Sequence, residues 1–149
     1  MVGVDAARFL KSVYFFRELQ DEPLDALASA CGQGCADTGD IIFAEGEPGD
    51  RFFIVVDGLV ELWKDFGYPG SRILGEQGPG QLFGEMALVD SLNRSATARA
   101  VKPTDMLYLR RSDFEAIVEE YPAVAMTVMR SLSYIIRHSN ESFVFDLNQ

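Results

Sequence analysis

GQLFGEMALVDSLNRSATARA, residues 80–100, is the stretch whose reading decides the fold. It inserts a short helix-like turn, EMALV, between two strand-like runs. Gly84 allows close backbone approach, and the start of the turn presents unpaired N–H groups, which together make a small anion cradle suited to a phosphate. Ten residues after Gly84 stands Arg94, whose guanidinium can meet a phosphate through two parallel charge-assisted hydrogen bonds. The neighbouring carboxylate, Glu85, would repel a phosphate but can accept hydrogen bonds from a sugar hydroxyl, as acidic residues do at riboses in dinucleotide sites. A phosphate beside a ribose points to a nucleotide.

Outward from this stretch, the chain from Ile41 onward alternates β-branched and aromatic runs with Gly-marked turns: DIIFAEGEPGD, RFFIVVDG, LVELWKDFG and SRILGEQGPG before it, RSATARAV and DMLYLR within and after it. EGEPGD and EQGPG place Gly where a positive φ is needed and Pro where a fixed φ suits the turn. Short strands at such spacing predict a compact antiparallel roll. Residues 4–31 instead have helical spacing, with Ala7, Leu10, Lys11 and Tyr14 in register and DEPLDALASA opening on acids and a Pro, so two short helices lead the chain. After LYLRR the pattern turns helical again. Ser112 stands three residues before Glu115 as a candidate capping box, which predicts a helix over about 112–121. Pro122 breaks it and restarts a longer helix with an apolar ridge at Val124, Val128, Leu132 and Ile136. The expected fold class is therefore mainly β with flanking helices: an antiparallel β-roll or jelly roll, N-terminal helices and two C-terminal helices, read as one domain over 1–149.

Composition removes several function classes. A formal net charge of −10 opposes a broad, sequence-independent grip on nucleic acid, which depends on Lys and Arg displacing counterions, so no nucleic-acid partner is expected. No apolar run approaches the roughly 20 residues of a membrane helix, since FFIVV ends at Asp57 and AVAMTVM at Arg130, and the N-terminus lacks a signal-peptide pattern. No membrane insertion and a cytoplasmic address are the expectation. Two cysteines, Cys31 and Cys35, are too few for an iron–sulfur cluster, and the one histidine, His138, is too remote in sequence to suggest a zinc site. They are read as reduced structural thiols. With one histidine, an enzyme built on a Ser-His or Cys-His pair has little to work with. A binding module is expected, with no metal and no cofactor beyond its ligand.

FGEMALVDSLNRSATARA resembles the phosphate-binding cassette of cyclic-nucleotide-binding domains, whose pattern is approximately F-G-E-hydrophobic-A-L, a short spacer, then P-R-(A/S/T)-A-(T/S)-V-(K/R)-A. IIFAEGEPGDRFFIVVDGLVELW resembles that family's first strands, and LYLRRSDFEAIVEEYP its last strand and penultimate helix. Three ordered matches at family spacing extend the likeness from Phe9 to Arg137. The resemblance implies that Gly84, Ala87 and Ser95 offer backbone N–H groups to a cyclic phosphate that Arg94 neutralises. Glu85 would accept the ribose 2′-hydroxyl, Leu82 and Phe83 would line the sugar side, and Met86 and Ala96 complete the ligand-binding set. Asn93 replaces the family's frequent Pro, and Ala98 its usual Val, which is expected to shrink a wall of the pocket.

The implied function is a sensor of cyclic nucleotide, cAMP ahead of cGMP, whose C-terminal helices respond to ligand and are read by an effector protein. A hydroxyl at Ser95 can reach a guanine amino group or simply bond the phosphate. The family's lid, a residue of the last helix lying over the base, falls near Ile135, with Tyr134 and His138 close by. The ridge on that helix serves either as a face packed on its own roll or as the seam of a homodimer. The tail SFVFDL, residues 142–147, is open to strand, lid or disordered readings. A different class of function, a structural adaptor with an empty or repurposed pocket, would have no need of the Glu85 and Arg94 pair. No effector segment is recognised in the sequence, so a stand-alone sensor, or one excised from a larger protein, is expected.

Overall fold

The strand RFFIVVD, Arg51–Asp57, is apolar on both faces, and the architecture is the one that covers both. Phe52 and Ile54 turn one way and join Leu107, Leu109 and the apolar residues of the helices in one buried cluster. Val55 turns the other way, into a second cluster with Phe43, Val60, Phe83, Ala98 and Met106, against which Phe53 packs. Alternate residues of a strand point to opposite faces, so an uninterrupted apolar run requires a layer on each side. Here those layers are the helices and the second sheet.

The computed structural model describes residues 5–13, 16–88 and 92–138, with the side chains of Leu88, Ile135, Ile136 and His138 outside the description. In chain order the elements are α1 (Ala6–Ser12), α2 (Asp21–Ala30), β1 (Gly32–Ala36), β2 (Ile41–Phe43), β3 (Arg51–Asp57), β4 (Val60–Lys64), β5 (Arg72–Gln77), β6 (Leu82–Phe83), a 3-10 turn (Glu85–Leu88), β7 (Thr97–Ala100), β8 (Thr104–Arg110), α3 (Arg111–Glu120) and α4 (Ala123–His138). The strands form two four-stranded sheets, in orders β1-β8-β3-β6 and β2-β7-β4-β5, with every pairing antiparallel. The expected β-roll with helices before and after it is the fold observed.

Local sequence accounts for the helix ends. Asp5 caps α1 by accepting from Arg8 N at 3.1 Å. In α2, Asp21 and Glu22 occupy the first turn with Pro23, while Leu24 and Leu27 are buried a turn apart. Tyr14, expected on the first helix, lies outside the described residues.

The structure adds one strand and corrects one expectation. The strand β1 was not foreseen, because Gly-Gln-Gly-Cys-Ala has poor strand propensity. It is dictated by its partner: Gly32 pairs with Tyr108, and a Cβ at Gly32 would overlap the Tyr108 ring. The capping box at Ser112 is not formed either. Helix α3 starts a residue early, at Arg111, with Arg110 at the cap position and no side-chain cap. Arg111 N donates to Asp50 O at 2.7 Å, so the chain passes from the end of β8 into the helix without a loop. Glu115 then faces Arg111 at 4.0 Å, an exposed pair of little energetic weight.

Val124 of α4 is fully buried and Val128 packs on the same cluster, so the start of the ridge lies on its own fold. Met126, Met129 and Tyr134 of this helix remain exposed. The two cysteines are free thiols, and burial pushes Cys31 up to about 11, which keeps it protonated at neutral pH.

The turn joining β3 to β4 depends on Gly58, at φ +116, where an added Cβ would lie 2.6 Å from the Thr104 backbone. Thr104 is itself buried, accepting from Leu59 N at 3.2 Å and donating to Lys102 O at 2.8 Å. Gly58→Ala is expected to cost at least about 1–3 kcal/mol from overpacking. Urea denaturation reads this directly, and an unchanged midpoint would contradict the close approach.

Candidate functional site

The strand β6 ends on Phe83, and the chain turns at Gly84, whose φ of +73 lies in the left-handed region that suits glycine. The 3-10 turn Glu85–Leu88 follows. Val89, Asp90 and Ser91 lie outside the described residues, and the chain is next seen stitched to the connection between β2 and β3. Asn93 makes a bridge with Pro48, Arg94 N donates to Glu47 O at 2.7 Å, and Gly46 N donates to Arg94 O at 2.8 Å. Arg94 is thereby anchored through its backbone before its side chain makes any contact.

That side chain crosses the mouth of the roll. Nη1 donates to Gly84 O at 3.1 Å and Nη2 to Arg51 O at 2.8 Å. The guanidinium carbon lies 4.1 Å from the centroid of the Phe43 ring. Two glycines clear its path: a Cβ at Gly84 would stand 2.7 Å from Nη1, and one at Gly49 would stand 2.7 Å from Nε. Nε itself is buried and has no hydrogen-bond partner among the described residues. Burial lowers the pKa of the guanidinium from its ordinary value, opposed by the nearby Asp50 carboxylate. Asp50 in turn is held ionised mainly by its fork to Arg51, with Nε–Oδ1 at 2.9 Å and Nη2–Oδ2 at 3.4 Å.

One pocket gathers most of the residues that the sequence singled out: Gly84, Glu85, Met86, Ala87, Arg94, Ser95 and Ala96. Phe43, Leu62, Leu92 and Asn93 complete its lining. Sequence reasoning had not placed Phe43, Leu62 or Leu92 there, although Leu62 carries a signal, since it alternates with Glu61 and Trp63 on β4. Phe43 and Leu92 carry none. Leu82 and Phe83 are not among the lining residues: Phe83 is fully buried in the inner core, ring to ring with Phe53 at 4.9 Å, and Leu82 packs on the helix-side cluster. Ala98, expected in a pocket wall, is instead fully buried in the inner core opposite Phe43 on β2.

The polar groups are arranged less simply than the sequence implies. Ala87 N, expected to point at a ligand, donates to Gly84 O at 3.3 Å, so that carbonyl receives both Ala87 and Arg94. The carbonyl of Ala87 accepts from Arg111 Nη1 at 3.3 Å, which ties the 3-10 turn to the first residue of α3. Ser95 is exposed, its hydroxyl 4.0 Å from the Met86 sulfur. Tyr134 on α4 is exposed and not part of the pocket lining, while the side chains of Ile135 and His138 lie outside the description. The tail at 142–147 also lies outside the described residues.

Glu85 is the carboxyl among the pocket's lining residues. Burial raises its pKa above the ordinary 4.5, only partly opposed by a backbone hydrogen bond and by the charge of Arg94. A raised pKa means that the folded state holds the proton more tightly than the unfolded chain. Ionising Glu85 at neutral pH therefore costs stability, and that cost disappears as the pH falls through the raised pKa towards 4.5. Glu85→Gln should consequently raise the melting temperature of the unliganded protein at pH 7 and lose this advantage near pH 4. A melting scan against pH checks the sign; a variant less stable than the parent at pH 7 would show that the carboxylate is structural.

Comparison with known proteins agrees with this geometry. Residues 36–121 match the family model described as "Cyclic nucleotide-binding domain". The chain is 34% identical over 131 residues to the cyclic AMP receptor protein of Thermus thermophilus, covering 88% of this chain and 61% of that protein. It is also 34% identical over 118 residues to a cyclic nucleotide-gated potassium channel of Mesorhizobium japonicum, covering 79% of this chain and 31% of the channel. The chain thus spans less than two thirds of either relative. Among solved structures, the N-terminal domain of a transcriptional regulator from Streptomyces coelicolor superposes with a TM-score of 0.75 at 30% identity, covering 91% of this chain and 94% of that one. Its cassette, its roll and these matches agree, and the chain belongs to the cyclic nucleotide-binding domain family.

Proposed function

We propose that the pocket between β6, the 3-10 turn and β7 binds a cyclic nucleotide, cAMP ahead of cGMP, and that the protein senses this ligand rather than transforming it. Arg94 takes the cyclic phosphate and Glu85 the free ribose 2′-hydroxyl. Leu62, Met86, Leu92 and Ala96 offer the base apolar walls.

What carries the reading is the convergence of Arg94 and Glu85 on one pocket, each held at a cost that a ligand would relieve. The buried Nε of Arg94 has no partner among the described residues, and an unsatisfied buried donor costs about 1–3 kcal/mol. Partial burial destabilises the ionised carboxyl of Glu85, and a hydroxyl donor would stabilise that ionised form. A relative named as a cyclic AMP receptor, and solved relatives described as bound to cAMP, favour the adenine ligand.

The response is proposed to travel through Arg111. Its hydrogen bond to Ala87 O links the 3-10 turn of the pocket to α3. A ligand that displaces the turn therefore acts on the start of the C-terminal helices. Beyond α3, α4 carries the lid region near Ile135, with Tyr134 and His138 close by, and the exposed Met126 and Met129 for an effector protein or a second copy to read.

Thermal melting with cAMP, cGMP and the linear monophosphates tests the ligand class. A bound ligand at about 100 times its dissociation constant adds about 2.7 kcal/mol of stability. Cyclic nucleotides should raise the melting temperature while 5′-AMP leaves it unchanged. No shift with any cyclic nucleotide at millimolar concentration would sink the proposal. Titration calorimetry then separates the two side chains. Arg94→Ala should weaken every cyclic nucleotide by about 2–5 kcal/mol. Glu85→Ala should weaken cAMP by about 1.5–3 kcal/mol and 2′-deoxy-cAMP hardly at all. Equal losses for both ligands would remove the ribose assignment.

A further inference from the structure

The inner core of the roll ends in a column of aromatic rings. Phe53 and Phe83 stack at 4.9 Å with an interplanar angle of 10°, and Phe43 leans on both, its centroid 5.9 Å from Phe53 and 6.0 Å from Phe83. The guanidinium of Arg94 sits on the outer ring of this column, 4.1 Å from the Phe43 centroid and 6.0 Å from that of Phe53. Phe43 is buried and is paired across β2 and β7 with Ala98, a small residue beside a large one. It also packs on the turn itself, since a Cβ at Gly84 would lie 3.2 Å from its ring.

We infer that Phe43 is a positioning residue of the anion site: its ring face holds the Arg94 guanidinium by a part-buried cation–π contact, and so tunes the affinity for the phosphate that Arg94 receives. This rests on the reading of the pocket as a cyclic-nucleotide site. A guanidinium has five N–H donors. The ring occupies the face of the group and consumes none of them, whereas the carbonyls of Gly84 and Arg51 take one donor each from Nη1 and Nη2. Of the remaining donors, Nε–H is buried and unpaired among the described residues, and each Nη keeps a second N–H beyond those given to the two carbonyls. An arginine side chain loses appreciable rotamer freedom when fixed, and a ring that fixes it before the ligand arrives removes this cost from binding. The contact is stronger here than on an open surface because the ring is buried and the guanidinium is partly withdrawn from water. Aliphatic residues of similar bulk would fill the core and pack on Gly84, but they present no negative face to the cation.

The test varies the electrostatics of the ring and leaves its shape nearly constant. Phe43 in the full chain is replaced by phenylalanines of increasing ring fluorination, up to the pentafluoro ring, which progressively cancels the negative face. Two quantities are read for each: the melting temperature without ligand, and the dissociation constant for cAMP. Melting temperature should fall steadily along the series in the parent and stay flat in an Arg94→Gln background, where no cation remains. The dissociation constant should rise along the same series by about three- to thirtyfold. Phe43→Leu should match the fully fluorinated ring in affinity, although it differs from it in volume. A melting series that is flat in the parent, or equally steep in both backgrounds, overturns the ring–cation contact. A steep melting series with an unchanged cAMP dissociation constant overturns the positioning role. If the parent binds no cyclic nucleotide, it is the pocket's proposed ligand that fails, and with it the role of Phe43 in affinity. The melting series, which needs no ligand, still decides the contact.

Discussion

A positive charge held between two backbone carbonyls and an aromatic ring is the constraint around which the pocket is built. An ion withdrawn from water is tolerated when its surroundings replace the lost solvation. Arg94 receives that replacement from three chain segments at once: Arg51 O at the start of β3, Gly84 O at the turn after β6, and the Phe43 ring at the end of β2. Its backbone is paired with the connection between β2 and β3 through Glu47 and Gly46. The glycines at 49 and 84 follow from this placement, because a methyl group at either would occupy the volume of the guanidinium.

The two sheets make that placement rigid. Since β3 buries residues on both faces, it is clamped between the helix-side cluster and the inner core, and the carbonyl of Arg51 is fixed at its first residue. The strand β8 alternates in the same way, with Leu107 and Leu109 towards the helices and Met106 inward. Helices packed on the outside of the roll thus share their supporting strands with the aromatic column that carries Arg94. Stability of the core and geometry of the pocket are parts of one packing arrangement, unlike Glu85, whose ionised form works against stability.

Much of this was legible in the chain. Gly84, Glu85 and Arg94 could be found because a short spaced motif with phosphate chemistry is a local feature, and RFFIVVDG could be read as a strand from its β-branched and aromatic residues ending on a Gly turn. What escaped was non-local. The strand β1 is imposed by the ring of Tyr108, seventy-odd residues away in sequence, and nothing in Gly-Gln-Gly-Cys-Ala announces it. The place of Phe43 beneath Arg94 depends on a register shift between β2 and β7 that alternation alone does not reveal. Ser112 and Glu115 had the right spacing for a capping box, but the hydrogen bond from Arg111 to Asp50 had already fixed the helix start one residue earlier. The motif also assigned Leu82 and Phe83 to the ligand, whereas strand pairing with β3 directs Phe83 into the core.

The loop-free passage from β8 into α3 has a mechanical meaning. Arg111 ends the strand ladder with its backbone and grips the 3-10 turn with its side chain, so there is no slack between the pocket and the first turn of α3. In the proposed response, a displacement of the turn would reach α3 at its first residue, with no connecting segment in between. The two helices are separated at Pro122, which has no N–H to extend the ladder of α3 into α4. Under the proposed ligand response α3 would act as a coupling rod, with Pro122 as the joint through which a small movement in the pocket reaches α4.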